Sequence, residues 1–289
     1  MEYEKWSDVF STINADNNLN ESNVIGKIKE KLKETDLGTY EEWEESFFYI
    51  DHQFTMKEVK FTLLNLAVLL GHEKMVDLLI REGANIYQGE DEKCNLLYSV
   101  AFLGHEKVVD LLISKGVNIN RRERNGCTTL YWAAFIGNEK MVDLLISKGA
   151  DINLRDHNGY TPLHLAVILG KEEMVNLLIS KGADIDQKDY NGYTLLHLAI
   201  SLDKEEIVDL LIRKGADIDQ RGRNGHTPLY LAVLQGREKI VDLLIRKGAD
   251  INQGSPFSIY TNTTKLIVDH MARLEAVGLY AYYYPQIKT

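Results

Sequence analysis

One stretch of this sequence returns every 33 residues. Aligned on its first residue, the copies begin at Thr62, Asn95, Thr128, Thr161, Thr194 and Thr227. Such a period constrains the fold more than composition can, because one copy is too small to bury its own apolar face and must stack on its neighbours. The clearest copy is Thr161 to Tyr193, TPLHLAVILGKEEMVNLLISKGADIDQKDYNGY.

Each slot of the repeat predicts local structure. The first holds Thr or Asn, whose side chains accept from the free N–H groups of a helix start. Pro162 and Pro228 follow it, where a fixed φ suits the first turn. Five places on come Ala67, Ala133, Ala166, Ala199 and Ala232, with Val100 the exception, so a neighbouring helix can approach closely. Gly71, Gly104, Gly137, Gly170 and Gly236 end this first helix, and the fifth copy puts Asp203 there instead. Asp tolerates the left-handed turn only at a cost, so Asp203→Gly is expected to stabilise. A second helix follows, apolar on one face through Val76, Leu79 and Ile80 in the first copy. Glu73, Glu106, Glu139 and Glu172 sit in its first turn and Lys115, Lys148, Lys181 and Lys214 in its last, as the helix dipole favours. A Gly/Asn/Asp-rich turn then reads as an extended finger.

These residues resemble the ankyrin repeat family. Thr161-Pro162-Leu163-His164-Leu165-Ala166 matches the family's opening signature, and Gly182-Ala183-Asp184 its closing one. The resemblance runs from about Phe61 to Asn252. It implies an all-α solenoid of antiparallel helix pairs with β-hairpin fingers to one side. It also implies protein binding through the finger tips and the concave face of the inner helices. In that family the signature histidine, here His164 and His197, is a structural hydrogen-bonding residue; Tyr98, Tyr131 and Tyr230 replace it in other copies.

The expected organisation has three parts: an N-terminal segment 1–60, the array 61–254, and a C-terminal segment 255–289. Trp6, Val9, Phe10 and Ile13 suggest a short helix, and Glu21–Glu34 a longer one with Val24, Ile28 and Leu32 on one stripe. Tyr40–Ile50 suggests another, with Tyr40, Trp43 and Phe47 in register and Gly38 as the break before it. These helices are expected to cap the first repeat. At the other end Thr263–Val277 reads as an amphipathic capping helix, followed by a tyrosine-rich tail.

The net charge of −10 disfavours a polyanionic ligand. Arg121, Arg122 and Arg124, with Arg221 and Arg223, read as solvated loop charge on two finger tips. No apolar run has the length to span a membrane, and no apolar segment follows the acidic start as a secretory signal would. Cys94 and Cys127 share one slot of adjacent copies, about 8–10 Å apart in stacked helices, too far for a disulfide. Reduced thiols and a cytoplasmic setting are therefore expected.

Reaction chemistry is not legible. Gly26-Lys27 and Gly170-Lys171 lack the rest of a phosphate-binding loop. His72 and His105 share a slot with Asn138, Lys171, Lys204 and Arg237, and so read as exposed surface. Asp184 with Asp186 and Asp217 with Asp219 read as solvated turn residues without a calcium loop. No catalytic set, metal site or cofactor is expected.

Two stripes remain as candidate binding surface. Cys94, Cys127, Tyr160, Tyr193 and His226 precede each opening residue, at the finger bases; they either meet a partner or pack finger against finger. The last two places of the first helix hold Leu69-Leu70, Phe102-Leu103, Phe135-Ile136, Ile168-Leu169, Ser201-Leu202 and Leu234-Gln235. Leu66, Trp132, Leu165, Leu198 and Leu231, one turn earlier, are expected to widen that face. Two readings stand beside internal packing: a non-enzymatic scaffold that binds a protein partner, or self-association into a homodimer. The residues selected are Phe102, Trp132, Phe135, Tyr160, Ile168, Tyr193, His226 and Leu234.

Overall fold

Thr62, Thr128, Thr161, Thr194 and Thr227 each stand in extended backbone, their hydroxyl oxygen accepting the N–H three residues on. That bond satisfies one orphan donor and fixes where the first helix of each copy starts. The computed structural model describes residues 3–56, 59–87, 96–123, 125–251 and 253. The helix expected at Thr263–Val277, the tyrosine tail, Cys94, Asn95 and Arg124 lie outside them. The chain divides into two units, Met1–Ala150 and Asp151–Thr289.

In the first unit, α1 (Tyr3–Asn14), α2 (Val24–Thr35) and α3 (Leu37–Glu45) precede a hairpin of β1 (Phe54–Met56) and β2 (Val59–Phe61). Three helix pairs follow: α4 (Leu63–Leu69) with α5 (Glu73–Arg81), α6 (Leu96–Phe102) with α7 (Glu106–Ser114), and α8 (Thr129–Ile136) with α9 (Glu139–Ser147). First helices stack on first helices and second on second. Ala67, Val100 and Ala133 are all buried at the small slot, as close helix approach requires. Lys115 pairs with Asp77 at 2.8 Å and Lys148 with Asp110, each tying one second helix to the one before. Exposed pairs of this kind contribute about 0–1 kcal/mol each, so apolar packing carries the stack.

The N-terminal helices pack on the first helix pair. α1 and α2 pack on α5. Trp6, Phe10, Val24, Ile28, Leu32, Trp43 and Phe54 are buried in one apolar group, with Trp6 5.0 Å and Trp43 6.0 Å from Phe54 between ring centroids. Asp51 accepts the Asn85 N–H at 2.8 Å, the kind of bond that joins neighbouring fingers elsewhere in the chain. The third helix differs from expectation. Gly38 lies inside its first turn, because Asp36 caps the start and accepts the Thr39 N–H. The apolar spacing suggested a helix beyond Glu45, but Phe47 and Phe48 adopt φ of 55° and 53° and end it. Phe48 is held against Trp43 and Tyr40, while Phe47 is 94% exposed and is no part of the stripe. The hairpin that follows pairs Phe54 with Phe61 and was not anticipated from the sequence.

The second unit repeats the plan with α10 (Pro162–Leu169) and α11 (Glu172–Ser180), α12 (Leu195–Ser201) and α13 (Glu205–Arg213), and α14 (Pro228–Leu234) and α15 (Glu238–Arg246). Ala166, Ala199 and Ala232 are fully buried. Its fingers are five-residue turns, each closed by one backbone hydrogen bond: Asp156 to Tyr160, Asp189 to Tyr193 and Gly222 to His226, at 2.8–2.9 Å. Neighbouring fingers are stitched side by side. The N–H groups of Asp184, Asp217 and Asp250 donate to the side chains of Asn153, Asp186 and Asp219 at 2.9–3.1 Å. Asp186 and Asp219 are thus linkers between fingers rather than merely solvated turn residues.

Asp203 has φ 57°, the left-handed conformation that glycine holds in the equivalent turns. It also accepts from Arg237 Nη1 at 2.9 Å. Asp203→Gly relieves backbone strain of about 1–2 kcal/mol but removes an exposed ion pair and frees the unfolded chain. Alone it is therefore expected to shift stability by less than about 0.5 kcal/mol, and in an Arg237→Gln background to stabilise by about 0.5–1 kcal/mol. Urea unfolding of the four proteins in this cycle checks it; equal effects in both backgrounds would mean the ion pair contributes nothing.

Candidate functional site

The first helices are only seven or eight residues long, so their sides are taken up by neighbouring helices and their own partner helix. Leu66, Leu165 and Leu231 are buried for that reason and do not belong to an open face; Trp132 and Leu198 are half-buried. Only the last turn reaches past the packing. There Phe102 is 52% exposed, Phe135 42% and Leu234 62%, with Leu103, Ile136, Leu169 and Leu202 exposed beside them and Ile168 half-buried.

In the first unit these ends form one aromatic cluster. Tyr98 lies 5.9 Å from Phe102 and 5.5 Å from Trp132, and Trp132 lies 5.5 Å from Phe135, nearly perpendicular to it. Edge-to-face contacts of this kind hold rings in fixed orientations. Trp132 thus finds its room against Tyr98. In the second unit the equivalent slots are aliphatic and polar, with Ser201 hydroxyl 3.5 Å from the Gln235 amide.

The finger-base stripe is half-buried. Tyr160, Tyr193 and His226 lie over the fourth residue of the helix signature, with ring centroids 5.8 Å from His164, 6.1 Å from His197 and 4.5 Å from Tyr230. Asp156 and Asp189 turn inward beneath them and accept the Tyr160 and Tyr193 N–H at 2.8 Å. Desolvation, with Asp189 and Asp156 nearby, raises the Tyr160 pKa, so its phenol stays neutral at physiological pH. Cys127 is a buried thiol.

His164 and His197 are fully buried, and desolvation pushes both pKa values down to about 4. Nδ1 of each meets the cap threonine hydroxyl, at 2.8 Å from Thr161 and 2.7 Å from Thr194. Nε2 of His197 donates to the His226 carbonyl at 2.9 Å, tying one repeat to the next. A Cβ on Gly222 would stand 2.7 Å from that nitrogen, so glycine alone fits this finger. A neutral His197 locked between repeats and a neutral His164 buried against its cap threonine are structural residues.

The slot read as exposed surface is not. His105 donates from Nε2 to the Leu69 carbonyl at 3.1 Å, and a Cβ on Gly71 would meet its ring at 2.7 Å. Arg237 likewise reaches back to the preceding first helix, to Asp203 and the Ser201 carbonyl. His72, where no repeat precedes, lies 3.5 Å from Ser11 and faces Phe10. The slot exchanges residues because many donors can satisfy a helix C-terminus. Its signal was shared donor chemistry, which identity alone hides.

No group of three His, Cys, Asp or Glu side chains converges on a metal-sized site among the described residues. No helix among them is long and apolar enough to cross a membrane.

Capped helix pairs, a small-residue stacking slot and stitched fingers define a stacked repeat scaffold. The profile described as Ankyrin repeats (3 copies) matches residues 47–123, 96–189 and 185–255. The chain belongs to the ankyrin repeat family, whose repeats generally serve as non-enzymatic modules for protein–protein interaction. No curated protein matches the chain.

Proposed function

We propose that this protein is a non-enzymatic scaffold that binds a protein partner across the exposed ends of its first helices. The observation behind this is the aromatic cluster of Tyr98, Phe102, Trp132 and Phe135, which keeps two half-exposed phenylalanines on helices that carry no charge. Aromatic anchors with fixed orientation lose little entropy on binding and dominate interface energetics. Ile168 and Leu234 hold the equivalent slots in the second unit, with Tyr160, Tyr193 and His226 at its finger bases offering hydrogen-bonding edges. Residues 1–60 and 255–289 serve as caps to the array in this reading, and the chain works in the cytoplasm.

The second reading rests on the same exposure: the face buries against another copy of the chain. One double variant separates the two. Phe102→Ser with Phe135→Ser should lower stability by about 1 kcal/mol or less per site, since half-exposed rings bury little area. Buried phenylalanines would cost about 3–5 kcal/mol each. A large drop in melting temperature would sink the site. Partner binding should weaken by at least about 2 kcal/mol. Light scattering over a dilution series decides between partner and copy: a concentration-dependent dimer that the variant dissolves favours self-association. Trp132 supplies the optical readout, because Trp6 and Trp43 are fully buried and Trp132 is not.

A further inference from the structure

Carboxylates are plentiful in this chain, yet the finger tips of the second unit present cations. The same slot of three successive fingers holds Arg155, Lys188 and Arg221, with Arg223 two places further on. The residue after that slot is Asp156, Asp189 or Gly222, and both aspartates are buried, each accepting turn N–H groups through Oδ1. In the first two tips the acid is buried while Arg155 and Lys188 are half-exposed, and in the third Arg221 is exposed.

The arginines among these cations are held in place. The Arg155 guanidinium stacks 5.7 Å from the Tyr190 ring, and with the Gln187 amide turned oxygen towards it, Nε and Nη2 of Arg155 donate to that oxygen at 2.9 Å each. Arg221 donates from Nη1 to the Gly225 carbonyl at 2.7 Å, and Arg223 reaches Asn191 at 3.5 Å. Arg155 and Lys188 lie near enough to His164 and His197 to disfavour their protonation. Pre-oriented guanidinium groups suit carboxylates and lose little freedom on binding.

We infer that the column Arg155–Lys188–Arg221 is a docking strip for an extended acidic peptide segment of a protein partner. The register follows from two spacings. Stacked repeats lie about 10 Å apart, and a chain in the extended polyproline-II form advances about 3.1 Å per residue with three residues per turn, so each third side chain meets the next finger. The segment recognised carries Asp or Glu at every third position. Exposed Tyr190 stands beside the strip to take an apolar group between them. A nucleic acid fits less well: a molecule of net charge −10 repels a polyanion over its whole surface, while a short peptide senses chiefly the local column. This strip rests on the protein-binding reading but shares no residue with the Phe102–Phe135 cluster.

The test uses the full chain and fluorescein-labelled peptides at low ionic strength. One peptide repeats Glu-Ser-Gly four times, a second gathers the same four glutamates into one block, a third replaces Glu by Gln, and the last probe is a short oligothymidylate. Anisotropy should show the spaced peptide binding about tenfold or more tighter than the block and Gln peptides. Arg155→Gln with Lys188→Gln and Arg221→Gln should remove that preference, and added salt should weaken it. Circular dichroism melting of the triple variant verifies that the fingers remain folded; should they not, Lys188→Gln alone must still weaken the spaced peptide. Equal binding of spaced and block peptides, tighter binding of the oligonucleotide, or binding unchanged by the substitutions would each overturn the inference. Phe102→Ser with Phe135→Ser should leave peptide binding intact, so failure here and failure of the aromatic face are read separately.

Discussion

Between pH 6.5 and pH 4 the second unit is expected to lose most of its stability. His164 and His197 are buried neutral, with pKa values pushed by desolvation from 6.5 to about 4. In this window the unfolded chain binds protons that the folded chain refuses, so stability rises with pH. It is fully present above pH 6.5 and falls as pH drops toward 4. Each histidine contributes roughly 3 kcal/mol of that loss, and two together are comparable with the whole stability of a small domain. His226, lowered by desolvation as well, acts in the same direction. Asp219 opposes them, because desolvation and the nearby Asp250 and Asp217 raise its pKa and favour its protonated form in the folded state.

Thermal unfolding at half-unit pH steps measures the slope, and NMR titration of the imidazole C–H signals locates the two midpoints directly. The repeat suggests its own control. Tyrosine fills the histidine slot at Tyr98, Tyr131 and Tyr230, so His164→Tyr with His197→Tyr should flatten the profile from pH 6.5 to 4. A wild-type profile already flat to pH 4.5 would mean that these imidazoles titrate normally.

Much of this was legible because the repeat states each local demand several times over. Threonine at the helix start, alanine at the stacking slot and glycine in the left-handed turn are answers to steric and hydrogen-bonding requirements that hardly vary between copies. Asp203 could be read the same way: one departure in a fixed series, with the φ that the series implies. Exposure was harder to read. Apolar residues at the end of the first helix looked alike in sequence, but packing swallows Leu66, Leu165 and Leu231 and leaves Phe102, Phe135 and Leu234 outside. That distinction depends on where a short helix ends relative to its neighbours, which residue type does not encode. The slot of His105 and Arg237 failed for the opposite reason. Its variety suggested solvent, although each of these two side chains reaches back to the preceding first helix.

The N-terminal segment has no repeat to calibrate it, and there periodicity misled. It ran a helical stripe through Trp43 to Phe47, where the backbone turns left-handed and sends the two phenylalanines in opposite senses. The difference gives a paired prediction. Trp43 is fully buried against Phe48 and Phe54, and its indole N–H donates to the Tyr49 carbonyl at 2.9 Å. Trp43→Ala should cost about 3–5 kcal/mol, from the cavity and the orphaned carbonyl together. Phe47→Ser, nearby in sequence but exposed, should change stability by less than about 0.5 kcal/mol. If α1–α3 act as a cap, the damage passes to the first repeat, because α1 and α2 cover α5. Hydrogen exchange then separates the possibilities. In Trp43→Ala the amides of Met75 to Leu79 should lose protection along with those of α2. Protection of α5 that persists while α2 exchanges freely would make the segment an independent module, and the first repeat would be stable without it.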